Sequence, residues 1–221
     1  MLGDKLTREI LTEWRTAPIG GKLRGMLGFL EKLTITPEQV GPHDVAALEE
    51  IGITYRAITD AVYICMGFNI INRIADAMGF EVPEPGVFVR GAWYMRRFGY
   101  SLMSGSWWPE RKSLSATSDP YDHMMRCLTE AVFRGPGTLE STVRQACGSG
   151  VQMGGVLGHY VNKVAQRDYK EIDACIADLR SRGYSDDQVF EATVSAAVGA
   201  GVKRLQLALQ PFRGSLASQA A

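Results

Sequence analysis

The sequence carries no surplus of charge: 24 Lys and Arg stand against 24 Asp and Glu. Without a basic excess there is little to meet a phosphate backbone, so nucleic acid is not expected as a partner. No apolar run approaches the roughly 20 residues that span a bilayer. The most hydrophobic stretch, Ala61 to Ile71, is too short and contains Asn69, so no membrane partner is expected either. Met1-Leu2-Gly3-Asp4-Lys5-Leu6 has no apolar h-region, so no secretory signal is expected and the cytoplasm is the default location. Alternating two-residue periodicity is nearly missing, and Val87-Phe88-Val89 is too short to make a strand. The four cysteines, Cys65, Cys127, Cys147 and Cys175, form no C-x-x-C pair and no Cys/His cluster with zinc spacing. Reduced, mostly buried thiols and no metal site are the expectation.

What is present reads as helix. Hydrophobic residues make up 46% and charged residues 22%, enough for a well-buried core. Leu6, Ile10, Leu11 and Trp14 share a helical face, as do Leu23, Met26, Leu27 and Leu30. Thr36-Pro37-Glu38-Gln39 reads as a cap, an N1 proline and a capping-box glutamine. Asp119-Pro120 repeats the cap-then-proline pattern ahead of Met124 to Phe133. Ser185-Asp186-Asp187-Gln188 is a further capping box before an apolar-periodic segment running through Leu207. The spacing predicts an all-α protein.

A repeat appears at an offset of 131 residues. Ala46, Leu48, Gly52, Thr54, Ile58, Asp60, Ala61 and Arg73 correspond to Ala177, Leu179, Gly183, Ser185, Val189, Glu191, Ala192 and Arg204. Each copy reads as a helix stopped by a left-handed glycine, a polar cap, then a longer helix ending near an arginine. Interhelical ion pairs are expected at Asp60, Glu191, Arg73 and Arg204. Between the copies, Pro83 to Pro136 interleaves Trp93, Tyr94, Phe98, Tyr100, Trp107, Trp108 and Tyr121 with Arg90, Arg96, Arg97, Arg111 and Lys112. It reads as a connecting arm, or as a pocket wall in which Trp107 and Trp108 flank a partly apolar carboxylated ligand. Three parts are therefore expected: an N-terminal helical half at 1–85, the arm at 86–134, and a second helical half at 135–221.

The chemistry concentrates between Thr138 and Lys163. Thr138 can cap a helix, with Glu140 in its first turn and Arg144 four residues on; Gln152, Gly154, Gly155, Gly158 and His159 follow. Gly148-x-Gly150 lacks the third glycine of a dinucleotide fingerprint, no strand precedes it, and no Gly-Lys-Ser/Thr follows. These small residues instead allow helices or a ligand to approach closely.

The spacing here resembles that of alkylhydroperoxidase-like proteins of the carboxymuconolactone decarboxylase superfamily. Their pattern is Glu, eleven residues, Cys, two residues, Cys, three residues, His. Counted from Glu140 the cysteine positions fall on Gln152 and Gly155, and the histidine on His159. Leu139 to Arg144 resembles that family's helix start, and Ala177 to Thr193 resembles the helical hairpin that follows. Phe29 to Thr34, the Ala46 to Gly52 helix and Asn69 to Arg73 resemble the second half of peroxidase-related members. The likeness covers roughly residues 20–80 and 135–210, with the halves reordered and the arm outside it. It implies a helical bundle with two related hairpins that self-associates as a dimer, trimer or hexamer.

In peroxidatic relatives, Glu and His relay protons to a thiolate that attacks peroxide and then closes a disulfide. Gln152 cannot be that thiolate and Gly155 cannot resolve one, so thiol peroxidase chemistry by this route is not expected. The decarboxylase branch uses no metal or organic cofactor, and none is expected here. Its chemistry asks only for an acid/base and a group that stabilises developing negative charge. The resemblance thus implies a lyase, decarboxylase or isomerase acting on a small carboxylated or carbonyl metabolite. His159 and Glu140 would be the acid/base pair and Gln152 the polar stabiliser, since an imidazole exchanges protons near neutral pH. Arg144, Trp107, Trp108, His123 and Gly155 are the candidate substrate-binding residues, Arg144 for a carboxylate. The rival is a non-catalytic, oligomeric ligand-binding or scaffold protein of the same fold. A third reading is a residual peroxidase that uses Cys147.

Overall fold

The computed structural model describes residues 4–82, 84, 86–87, 120–151 and 153–219. Among them there are nine α-helices, one 3-10 turn and no strand, in keeping with the all-α expectation. The N-terminal half holds α1 (Asp4–Glu13), α2 (Gly21–Ile35), α3 (Pro42–Glu50) and α4 (Tyr55–Ala77). Next comes α5 (Pro120–Phe133), which is the end of the expected arm. The second half holds α6 (Ser141–Gly148), α7 (Gly155–Gln166), α8 (Ile172–Ser181) and α9 (Asp186–Gln219). None of the described helices is long and apolar enough to cross a membrane.

Local signals set most of these boundaries. The Ser185 hydroxyl accepts the Gln188 N–H at 3.2 Å while the Ser185 N–H donates to Gln188 Oε1 at 3.0 Å, a complete capping box at the start of α9. Thr54 caps α4 by a single bond, its hydroxyl accepting the Ala57 N–H at 3.3 Å. Gly52 and Gly183, just past α3 and α8, have φ of 77° and 90°, the left-handed stop that a residue with a Cβ resists.

Thr36 takes the expected N-cap position with Pro37 behind it, but the capping box does not form and the helix does not extend. Only a 3-10 turn, Pro37–Gln39, follows it, and the Thr36 hydroxyl donates back to the Lys32 carbonyl at 3.4 Å. The helix restarts at Pro42, because Gly41 takes the extended N-cap conformation and its N–H donates to the Asp44 carboxylate at 2.9 Å. His43, on the first turn of α3, is an exposed helix-start residue beside Asp44.

Two buried clusters meet along α9. One gathers Phe29, Leu33, Val45, Leu48, Ile58 and Val62 with Val198 and Leu205 of α9; Met125, Leu128 and Phe133 of α5 pack on it. The other gathers Leu139, Leu157, Tyr160, Val164 and Leu179 with Val189 and Ala192 of α9. Helix α9 is thus the shared wall, packed most extensively on α4 and then on α6 and α7. It passes α6 so closely that a Cβ on Gly199 would overlap the backbone carbonyl of Gly148.

Candidate functional site

The residues singled out between 138 and 159 have separate tasks in the fold. Helix α6 starts later than Thr138 suggests: Glu140 is itself the N-cap, without a side-chain capping bond. The reason is Glu191. Its carboxylate accepts the Thr138 N–H at 2.8 Å, the Thr138 hydroxyl at 3.0 Å and the Leu139 N–H at 2.8 Å, so those donors serve α9. Burial pushes the Glu191 carboxyl up, but the two amides, the hydroxyl and the Arg144 charge outweigh it, and the net shift is down.

Arg144 is buried and tied to backbone: Nη1 donates to Val132 O at 2.9 Å, Nη2 to Gly135 O, and Nε lies 3.9 Å from Glu191 Oε2. It thereby ties a last-turn carbonyl of α5 and the Gly135 carbonyl just past that helix to α6, a helix-end role. Gly155, with φ of 76°, opens α7 in the left-handed region; it is exposed, and nothing lies within 4 Å of a Cβ built there.

Helix α7 turns Leu157, Tyr160, Val161 and Val164 inward, and the Tyr160 hydroxyl meets Thr193 Oγ1 at 2.5 Å. The same helical period turns His159 outward, and both His159 and Glu140 are exposed. No hydrogen bond or ion pair joins them among the described residues, and neither lines the pocket described below. His123 is exposed on α5, with Nε2 3.6 Å from Cys127 Sγ. Gln152, Trp107 and Trp108 lie outside the described residues.

Cys147 is buried on α6, and burial pushes its thiol up to about 11. Only about one molecule in 10⁴ would then hold a thiolate at pH 7, which starves any attack on peroxide. Stoichiometric peroxide should leave Cys147 reduced in intact-protein mass spectra while exposed Cys127 reacts first. Rapid, selective oxidation of Cys147 would reverse this.

The structure instead draws a polar group together in the N-terminal half. Cys65, Asn69 and Arg73 are spaced by four along α4 and so share one face, opposite Leu30 and Thr34 of α2. With Ile64, Phe68, Asn72 and Arg167 they line a pocket of about 330 Å³, at the small end of the roughly 300–1,000 Å³ range for ligand sites. Asn69 Nδ2 donates to the Cys65 carbonyl at 3.0 Å and to Cys65 Sγ at 3.3 Å, and lies 3.5 Å from the Thr34 hydroxyl.

Arg73 has no exposed surface. Its Nη1 donates to Asn69 O and Oδ1, both at 2.9 Å, and Nε to Ala165 O in the last turn of α7 at 3.3 Å. Nη2 is buried without a partner. The interhelical ion pair expected at Glu191 forms, with Arg144, while Asp60 pairs with Arg56 on its own helix at 2.9 Å and no carboxylate pairs with Arg73 or Arg204 among the described residues, contrary to the expectation there. Burial first, and then the nearby Arg204 and Arg167 charges, push Arg73 down to about 10. It remains a cation at neutral pH, and a buried charge lacking a counter-ion costs several kcal/mol.

In the sequence Asn69 reads as an interruption of an apolar run and as the start of the Asn69 to Arg73 stretch of the family likeness, with no site role. The signal passed over was the i, i+4, i+8 spacing of Cys65, Asn69 and Arg73. Comparison with protein-family models, with characterised proteins and with solved structures finds no match to this chain.

Proposed function

We propose that this chain is a small-molecule-binding helical protein whose ligand sits between α2 and α4, with no acid/base pair at Glu140 and His159. The observation that carries the reading is a lined pocket with a fully buried arginine that lacks a counter-ion at its wall. Buried charges in folded proteins are compensated, and an anionic ligand in the adjoining pocket would offset this one from across its wall. The exposure of Glu140 and His159, and the lack of any bond between them, favour binding over the lyase or isomerase reading. The resemblance to the alkylhydroperoxidase-like superfamily enters as part of the proposal: two related helical hairpins, kept as a ligand-binding oligomer after loss of the cysteine pair.

The test is a thermal-shift panel of small carboxylates, aldehydes and lactones on the full chain, with turnover followed by proton NMR. Compounds that stabilise the wild type should stabilise Glu140→Ala and His159→Ala equally and persist unconverted. Asn72→Trp, at an exposed pocket-lining position, should abolish their effect. Stabilisation lost in His159→Ala but kept in Asn72→Trp would place the chemistry at α6 and α7 instead.

A further inference from the structure

The charges around the α2–α4 pocket are unbalanced in one direction. Arg73 has no carboxylate partner, and the Nε of nearby Arg204, the residue at the equivalent repeat position, is also buried without a hydrogen bond. Arg167 lines the pocket from the left-handed C-cap of α7, its side chain 43% exposed, and its one ion pair among the described residues is a 4.0 Å contact to Asp76. The carboxylates acting on Arg73 and Arg204 are Asp76 and Glu38, both exposed, beside the Tyr169 hydroxyl and the Cys65 thiol. Leu30, Ile64 and Phe68 make the rest of the lining apolar, with Asn72 and Thr34 as its polar edge.

We infer that this pocket takes the carboxylate of a small, partly apolar organic acid, with half-exposed Arg167 as the cation that contacts it and Arg73, buried in the wall behind, adding positive potential. This rests on the ligand-binding reading above and adds the chemistry of the ligand. A planar guanidinium matches a carboxylate fork, which favours carboxylate where only two arginines line the site. A phosphate ester would leave charge facing Ile64, Phe68 and Leu30.

Cys65 lies in the same lining and serves as an internal reporter, with exposed Cys127 as the reference thiol. Iodoacetate and iodoacetamide are near-isosteric, one anionic and one neutral. Each is attacked at its methylene carbon by the thiolate sulfur, forming S–C, releasing iodide and leaving the thiol proton to solvent. Since both meet the same thiolate, differences in thiol acidity cancel in their ratio.

The measurement is the rate of alkylation at each cysteine of the folded full chain by peptide mass spectrometry. The iodoacetate-to-iodoacetamide ratio at Cys65, divided by that at Cys127, should be about ten or more, the order by which a focused positive cleft enriches anions. Arg167→Gln, a partly exposed position whose loss spares the core, should return the ratio to near one, and benzoate should protect Cys65 where benzamide does not. A wild-type ratio of one or below overturns the carboxylate assignment while leaving a ligand pocket. A Cys65 that reacts with neither reagent while Cys127 is consumed means that the pocket admits no ligand, and both readings fall.

Discussion

Replacing Glu191 with alanine should lower the unfolding free energy by roughly 3–5 kcal/mol in urea titrations, because the change removes the counter-charge beside a buried arginine. Three donors, the Thr138 and Leu139 amides and the Thr138 hydroxyl, lose their acceptor together. Arg144 is left with carbonyl oxygens alone, in a side chain 6% exposed. Glu191→Gln keeps one carbonyl oxygen and should lose less, about 1–2 kcal/mol. The pH dependence has a definite sign. The folded carboxyl sits below its ordinary value of 4.5, so its stabilisation is complete above that pH and disappears as pH falls through the lower folded value. Wild-type stability should therefore decline more steeply below pH 4.5 than that of Glu191→Gln. A loss under about 1 kcal/mol for Glu191→Ala would show that this carboxylate does not hold α6 to α9.

Gly199→Ala should cost about 3 kcal/mol or more, although alanine is the better helix former by about 1 kcal/mol. The new methyl meets the Gly148 backbone, which cannot rotate aside as a side chain would, so α6 and α9 must separate. Gly67 on α4 supplies the control: nothing lies within 4 Å of a Cβ there, and Gly67→Ala should gain about 0.5–1 kcal/mol. Equal effects at the two positions would mean that close helix contact is not why α9 carries glycine at 199.

These contacts also mark where sequence reasoning reached and where it stopped. The Ser185 box, the Thr54 cap and the left-handed Gly52 and Gly183 were legible because each depends on a few consecutive residues. Thr138 was misjudged because its partner, Glu191, lies on another helix, and no local pattern reports that a distant carboxylate has taken a cap's donors. Thr36 was misjudged because Gly41 and Pro42 restart the helix before the first turn can extend. The ionic pairing of Arg73 failed for a further reason. Residue spacing only aligns Arg73 with Arg204; burial and packing show that Arg73 is enclosed with an unused donor. The spacing of Glu140 and His159 suggested an acid/base pair, yet Glu140 is an exposed N-cap and the Tyr160 to Val164 face of α7 won the core, which leaves His159 outside.

Whether a ligand carboxylate offsets the charge of Arg73 is settled by a crystal structure of the full chain soaked with benzoate. A carboxylate within about 3 Å of the Arg167 guanidinium, on the pocket side of the Arg73 wall, and a ring against Phe68 and Ile64, is the expected result. A side-chain carboxylate of the protein already seated on Nη2, or benzoate held at Glu140 and His159 with the α2–α4 pocket empty, would contradict it.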